Sequence, residues 1–171
     1  MADLDLPTLI PLDQADPAEV ERLLDLAFGS DRHARTSYAI RAGTTCLKAL
    51  CFAAFDADGT LVGTIQAYPV ALTDSVGRAH PLIMIGPVAI HPERQGQGFG
   101  RALMAAQAAA LGPDPLPEVL IGDAPFYGRF GFTEAPRGWH CPGPWDPERL
   151  LVRCANPAVL PREGMLGPWR G

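Results

Sequence analysis

The sequence predicts a mixed α/β (α+β) fold, with a mostly antiparallel central sheet flanked by helices. Three observations predict it. Two β-type runs on either side of the turn cluster Asp56-Ala57-Asp58-Gly59 read as an antiparallel hairpin. The run from His80 to Ile90, then a glycine-rich turn, a helical stretch and the short run from Glu118 to Ile121, reads as a parallel crossover. Gly86-Pro87 interrupts the strongest of these strands. Proline cannot donate to a ladder, so it belongs at an edge or a bulge, and a bulge bends a strand away from its neighbour. A gap in the sheet is therefore expected just before the glycines.

The elements follow in order. Leu6 to Leu12 reads as a first strand. Asp16 followed by Pro17 is a helix-start signal, and Val20, Leu23, Leu24 and Ala27 recur at helical spacing until Gly29. Asp31 to Arg41 reads as a second, more polar helix with three arginines, ended by Gly43. Cys46 to Phe55 is almost continuously apolar and reads as a strand buried on both faces, with Thr60 to Val70 as its hairpin partner. Thr73 to Ala79 is a loop. Phe99, Ala102, Leu103, Ala106 and Ala110 mark one face of a helix ending near Gly112, and Pro113, Pro115 and Pro117 form a stiff connector. Gly122-Asp123-Ala124-Pro125 opens a short helix, Trp139 to Pro147 reads as a loop, and Leu150 to Ala155 as a closing strand. Residues 156–171 read as an irregular tail of a single domain spanning 1–171.

Composition narrows the function classes. With 171 residues the chain fits one core. A net charge of −5 argues against a broad nucleic-acid footprint. No run approaches the roughly 20 apolar residues of a membrane span, and the acidic N-terminus lacks the basic region of a secretory signal. The expected location is cytoplasmic. Cys46, Cys51, Cys141 and Cys154 have neither a C-x-x-C pair nor metal-like spacing, so buried free thiols and no metal are expected.

The chemistry is concentrated in HPERQGQGFGRALM, residues 91–104. Its glycines sit between the carboxyl end of a strand and the amino end of a helix. Helix N-termini leave N–H groups unpaired and carry partial positive charge, so they bind anions. Glycines remove the Cβ atoms that would obstruct a phosphate, and Arg94 and Arg101 add charge on either side. A phosphate or pyrophosphate cradle follows. It is not a P-loop, because no Lys-Ser or Lys-Thr occurs, and it is not a dinucleotide fingerprint, because Arg101 stands where the third glycine belongs.

Gln95-x-x-Gly98-x-Gly100, following Val88 to Pro92, resembles the acetyl-CoA signature [QR]-x-x-G-x-[GA] of the GNAT-type N-acetyltransferase superfamily. Phe126-Tyr127-Gly128-Arg129-Phe130-Gly131-Phe132 is similar to its F-Y-x-x-x-G-F segment. The Y-x-R-F-G-F form, Gly122-Asp123, Pro142-Gly143-Pro144 and Arg149-Leu150 resemble a bacterial branch, the YhbS-like group.

The resemblance implies a GNAT-type fold splayed between strands 4 and 5, with the pantetheine of acetyl-CoA in the splay. It implies that Val88, Ala89 and Ile90 offer backbone groups to that cofactor. The pyrophosphate would be held by Gln95, Gly96, Gln97, Gly98, Phe99, Gly100 and Arg101. It also implies direct acetyl transfer to a primary amine, with Tyr127 as the group that protonates, or hydrogen-bonds to, the CoA sulfur, and an oxyanion donor near Val88.

The base is open among His91, Glu93, His33 and His80. Acceptor contacts are expected from 31–41 and 139–147, with Asp31, Trp139 and Trp145 as candidates. The rival reading is a non-catalytic acyl-CoA-binding sensor or regulatory module. Similar proteins imply a monomer or homodimer, with neither nucleic acid nor membrane as partner.

Overall fold

A computed structural model describes residues 7–171. Among these, the strands are β1 (Thr8–Pro11), β2 (Phe52–Phe55), β3 (Leu61–Thr73), β4 (Ala79–Ile90), β5 (Glu118–Ile121), β6 (Thr133–Glu134), β7 (Gly138–His140), β8 (Leu150–Arg153) and β9 (Glu163–Pro168). The helices are α1 (Pro17–Phe28), α2 (Thr36–Ile40), α3 (Phe99–Leu111) and α4 (Ala124–Tyr127). The chain forms two compact units. One comprises residues 7–32, Leu47–Ala67 and Gly86–Pro113; the other comprises His33–Cys46, Tyr68–Ile85 and Asp114–Gly171. Strands β3 and β4 contribute to both.

In the first unit β1 runs antiparallel to β2, with Leu9 opposite Ala54, and β2 runs antiparallel to β3, with Ala53 opposite Thr64. The Asp56 carboxylate closes the β2–β3 turn by accepting from the N–H groups of Asp58 and Thr60 at 3.0 and 2.9 Å. Asp16 caps α1 through the Ala18 N–H at 3.0 Å, and the helix stops at Gly29, whose φ of 93° no β-carbon residue adopts comfortably. Val20, Leu23 and Leu24 then face Ala53, Leu61 and Ala89 in the core.

Helix α3 presses close to the sheet. A Cβ added at Gly63 would lie 3.0 Å from both Ile90 Cδ1 and Leu103 Cδ1. The buried face of α3 is Phe99, Leu103, Met104 and Gln107, rotated from the alanine-marked face expected, and Ala110 is exposed. Gln107 goes inside with its amide NH2 donating to Leu50 O at 2.8 Å and Gln66 O at 3.3 Å, which offsets the desolvation of that group, while its buried Oε1 has no partner among the described residues.

In the second unit β4 pairs in parallel with β5 at Ile83–Glu118 and Met84–Val119, and the register ends there. A cis Gly86-Pro87 peptide follows. Strand β8 lies antiparallel to β5 and carries β6. Ile40, Val70, Leu72, Met84, Trp139, Val152 and Leu166 share the core of this unit. A mixed, mostly antiparallel sheet, with parallel pairs at β4–β5 and β7–β9, is the fold class the sequence predicts.

Four expectations are corrected. The strand expected from Cys46 begins only at Phe52; Leu47 donates to Ala67 O at 2.8 Å and Lys48–Leu50 is a 3-10 turn. An apolar run alone does not separate a strand from a buried turn. The polar helix expected over 31–41 is a 3-10 turn at Arg32–Ala34 followed by five-residue α2. Arg32 is buried there with its guanidinium on Asp25, at 2.8 Å, and on Glu21. Trp139 and His140, expected in a loop, belong to β7. The tail expected to be irregular forms β9, antiparallel to β3 over Val70–Thr73 and parallel to β7. Leu6, the expected start of the first strand, lies outside the described residues.

Candidate active site

The first unit holds the segment expected to form the anion cradle. Val88 and Ile90 are half-buried and Ala89 is buried near the end of β4. The chain then turns: His91 donates its N–H to Val62 O at 2.8 Å and accepts from the Glu93 N–H on Nδ1 at 3.1 Å. Arg94 is not free to meet a phosphate, because its guanidinium pairs with the Asp56 carboxylate at 2.6 Å.

Beyond it Gln95, Gly96, Gln97 and Gly98 are exposed. Gly96 and Gly98 have φ of 79° and 90°, a left-handed backbone that glycine takes without strain. Gly98 is the residue from which α3 starts, with no side-chain cap, and the first turn closes through Ala102 N–H to Gly98 O at 3.0 Å. That leaves the N–H groups of Phe99, Gly100 and Arg101 directed out of the helix end. The Phe99 ring is buried and pins the turn, while the Arg101 side chain is exposed.

The second unit holds Tyr127, at the end of α4. Asp123 caps this turn through the Phe126 N–H at 3.3 Å. The Tyr127 ring stands edge to face with Phe126 at 4.9 Å and Phe132 at 6.1 Å. Its other side lies on Gly122, where an added Cβ would come within 2.5 Å of Tyr127 Cε2. Burial pushes the phenol up to about 12, with the Asp123 carboxylate adding to the rise and Arg149 opposing it. At neutral pH the group is a proton donor and not a base.

The two segments expected to recognise an acceptor meet within this unit. Thr36 of α2 donates its hydroxyl to Pro144 O, and His140 packs edge to face on Trp145 at 5.5 Å. Trp145 is half-buried and Asp31 is exposed, Asp31 belonging to the first unit. Trp139 is a correction. It is 1% exposed and donates its indole N–H to Pro161 O at 2.7 Å, so it is a core residue with no surface for an acceptor.

Among the base candidates, His80 Nε2 sits 2.9 Å from Asp74 Oδ2 beside the β3–β4 loop, and His33 packs on Tyr38 at 5.0 Å. All four cysteines are free; Cys51 and Cys141 are buried, and burial pushes the Cys141 thiol up to about 11, away from nucleophilic use. No metal-holding group of three or more His, Cys, Asp or Glu occurs among the described residues, and no helix there is long and apolar enough to cross a membrane.

Two features escaped the sequence reading. Arg41 is buried between the Tyr38 and Tyr68 rings, 4.1 and 3.9 Å from their centroids. Arg153 forms a two-pronged ion pair with Glu118. The available signal was one charge of each sign in two otherwise apolar strands, EVLI and LLVR.

The crossover β4–α3–β5 has an uncapped, glycine-led helix start, and the second unit separately presents a neutral phenol on a capped turn; these are parts that an acyl-transfer class of α/β protein uses. The acetyltransferase (GNAT) domain model matches residues 48–134, just over half of the chain, and the chain belongs to this family. A search of curated proteins returned no match.

Among solved structures, the GNAT family N-acetyltransferase YhbS from Escherichia coli, in complex with CoA, is similar over 95% of this chain and 89% of that one, at 24% identity and a TM-score of 0.70. A GNAT family acetyltransferase from Brucella melitensis, in complex with acetyl-CoA, covers 88% of this chain and 97% of its own, at 27% identity and a TM-score of 0.58. A Corynebacterium glutamicum structure described as histone acetyltransferase HPA2 and related acetyltransferase has 22% identity and a TM-score of 0.56, over 90% of this chain and 99% of that one.

Proposed function

We propose that the protein transfers an acetyl group from acetyl-CoA directly to a primary amine. The observation that carries this reading is the start of α3, led by left-handed Gly98 and lacking a side-chain cap. The residues fit a CoA pyrophosphate: a Cβ added at Gly96 or Gly98 would meet nothing within 4 Å, so the backbone faces open space. N–H groups from Gln95 to Arg101 would hold the phosphates, and Val88, Ala89 and Ile90 would pair with the pantetheine.

In the transfer an amine nitrogen bonds to the thioester carbonyl carbon, and the carbon–sulfur bond breaks. The Val88 N–H would stabilise the developing oxyanion. Tyr127, held neutral by burial, would give its proton to the departing thiolate, and the amine proton would pass to water or a nearby base. Asp31 and Trp145 remain the acceptor contacts in this reading. It includes a cytoplasmic, bacterial setting, a small-molecule or peptide amine, and a monomer or homodimer.

Thermal stabilisation by acetyl-CoA, then release of free thiol with a panel of polyamines, amino acid esters, peptide N-termini and lysine side chains, tests the reading. Stabilisation together with turnover supports it. Stabilisation with no turnover across the panel would replace it with an acyl-CoA sensor. No stabilisation at saturating acetyl-CoA would sink both.

A further inference from the structure

We propose that Arg153 is a positioning residue for Tyr127, acting through Phe132; this rests on the reading of Tyr127 as the proton donor. Glu118 opens β5 and faces Arg153 across the β5–β8 register. The Glu118 side chain is 2% exposed. Arg153 Nε and Nη2 donate to its two carboxylate oxygens at 2.7 and 2.6 Å. The remaining nitrogen, Nη1, donates to Phe130 O at 2.9 Å. The guanidinium carbon stands 4.6 Å from the centroid of the Phe132 ring.

One planar cation therefore ties the two strands to the loop that carries Tyr127. Gly131, with φ of 91°, turns that loop so that Phe132 donates its N–H back to Tyr127 O at 3.4 Å and sets its ring against the Tyr127 ring.

Stability alone does not require this arrangement. A buried ion pair is often no more stabilising than apolar side chains of the same volume. What the pair supplies is direction. Two parallel bonds fix the guanidinium plane, the third bond fixes the Phe130 carbonyl, and the face of the cation fixes Phe132. Lysine keeps the charge and loses the fork, the plane and the stacking.

The test combines Arg153→Lys, Tyr127→Phe and the double variant, assayed at saturating acetyl-CoA with an amine that the wild type acetylates, alongside ring-carbon NMR of the three tyrosines. The Tyr127 signal is assigned by its absence from Tyr127→Phe. Arg153→Lys is expected to move that signal while those of Tyr38 and Tyr68 stay. It is expected to lower kcat on the order of tenfold or more, as sub-ångström to ångström displacements of catalytic groups do. The Kd for acetyl-CoA should stay within about twofold, because the cradle is built from other elements. The double variant should be no slower than Tyr127→Phe alone.

A stationary Tyr127 signal, an unchanged kcat in Arg153→Lys, or losses that multiply in the double variant overturns the positioning role. An unchanged kcat in Tyr127→Phe overturns the proton-donor reading instead, whatever Arg153→Lys does to the ring signal. If Arg153→Lys does not fold, Glu118→Gln, which loosens the same fork and leaves the charge on Arg153, whose side chain is 23% exposed, carries the same measurements.

Discussion

The indole N–H of Trp139 donates to the carbonyl of Pro161 at 2.7 Å, joining β7 to the segment that leads into β9. The C-terminal residues are thus part of the second unit's core and not an appendage. Leu166 of β9 is 1% exposed and packs in the cluster that contains Trp139 and Leu72. Leu166→Ala is expected to cost about 2–5 kcal/mol, the range for emptying a buried leucine site. Denaturant unfolding checks this; a loss below about 0.5 kcal/mol would mean that β9 does not contribute to the core as described.

The cradle glycines separate into two tests. Gly98 is left-handed, so Gly98→Ala should lose about 1–2 kcal/mol of stability and also weaken acetyl-CoA binding. Gly100 lies inside α3 and is not among the left-handed glycines, so Gly100→Ala should gain about 0.5–1 kcal/mol while binding acetyl-CoA less tightly. Thermal melts with a cofactor titration read both quantities. Full affinity in Gly100→Ala would remove that residue from the phosphate site.

Tyr127→Phe should lower kcat with little change in acetyl-CoA affinity. Because the phenol is held up to about 12, no alkaline limb of the rate profile below about pH 10 should belong to Tyr127. The folded-state value lies above the ordinary one, so the unfolded chain loses this proton first. The stabilisation is complete below about pH 10 and falls as pH rises toward 12. Tyr127→Phe should flatten that part of the stability profile, measured as unfolding free energy against pH.

Cys141 behaves similarly at a lower window. Its thiol, held up to about 11 by burial, should stay protonated and resist thiol reagents at pH 8, while half-buried Cys46 and Cys154 react first. Mass spectrometry after timed alkylation reads the order. Cys141→Ala should retain acetyl transfer; its abolition would point to an acyl-cysteine step in place of direct transfer.

The acid side of the profile has its own marker. Asp74 is held below the ordinary carboxylate value, first by its bond to His80 and then by the Arg78 N–H. Stability from this group is present above the unfolded value of 3.8 and is lost as pH falls through and below it. Asp74→Asn should leave the neutral-pH fold intact and reduce the loss of stability on acidification, read by thermal melts from pH 6 to pH 3.

Much of the architecture was legible because local rules were enough. Asp16, Pro17 and Gly29 bracket α1, the Asp56 to Gly59 cluster makes its turn, and Gly98 begins α3. The misses share one cause: burial against distant chain. Leu47 to Leu50 turns instead of extending because Leu47 N–H finds Ala67 O. Gln107 lies inside because two carbonyls from other segments receive its amide. Arg32 and Arg41, expected within a polar helix, are buried, one by carboxylates and the other between tyrosine rings.

The sequence by itself determined the order of the main elements, the glycine-led start of α3 and the aromatic segment around Tyr127. Those depend on backbone conformation and on spacing along the chain, which residue type controls directly. Only the tertiary structure decided that Trp139 is core, that the tail closes a sheet edge as β9, that Arg94 belongs to Asp56, and that Arg153 reaches across from Glu118 to the Phe130 carbonyl and the Phe132 ring. Such pairings join residues far apart in sequence, and the fold alone sets which polar and aromatic partners are close enough to compensate a buried group.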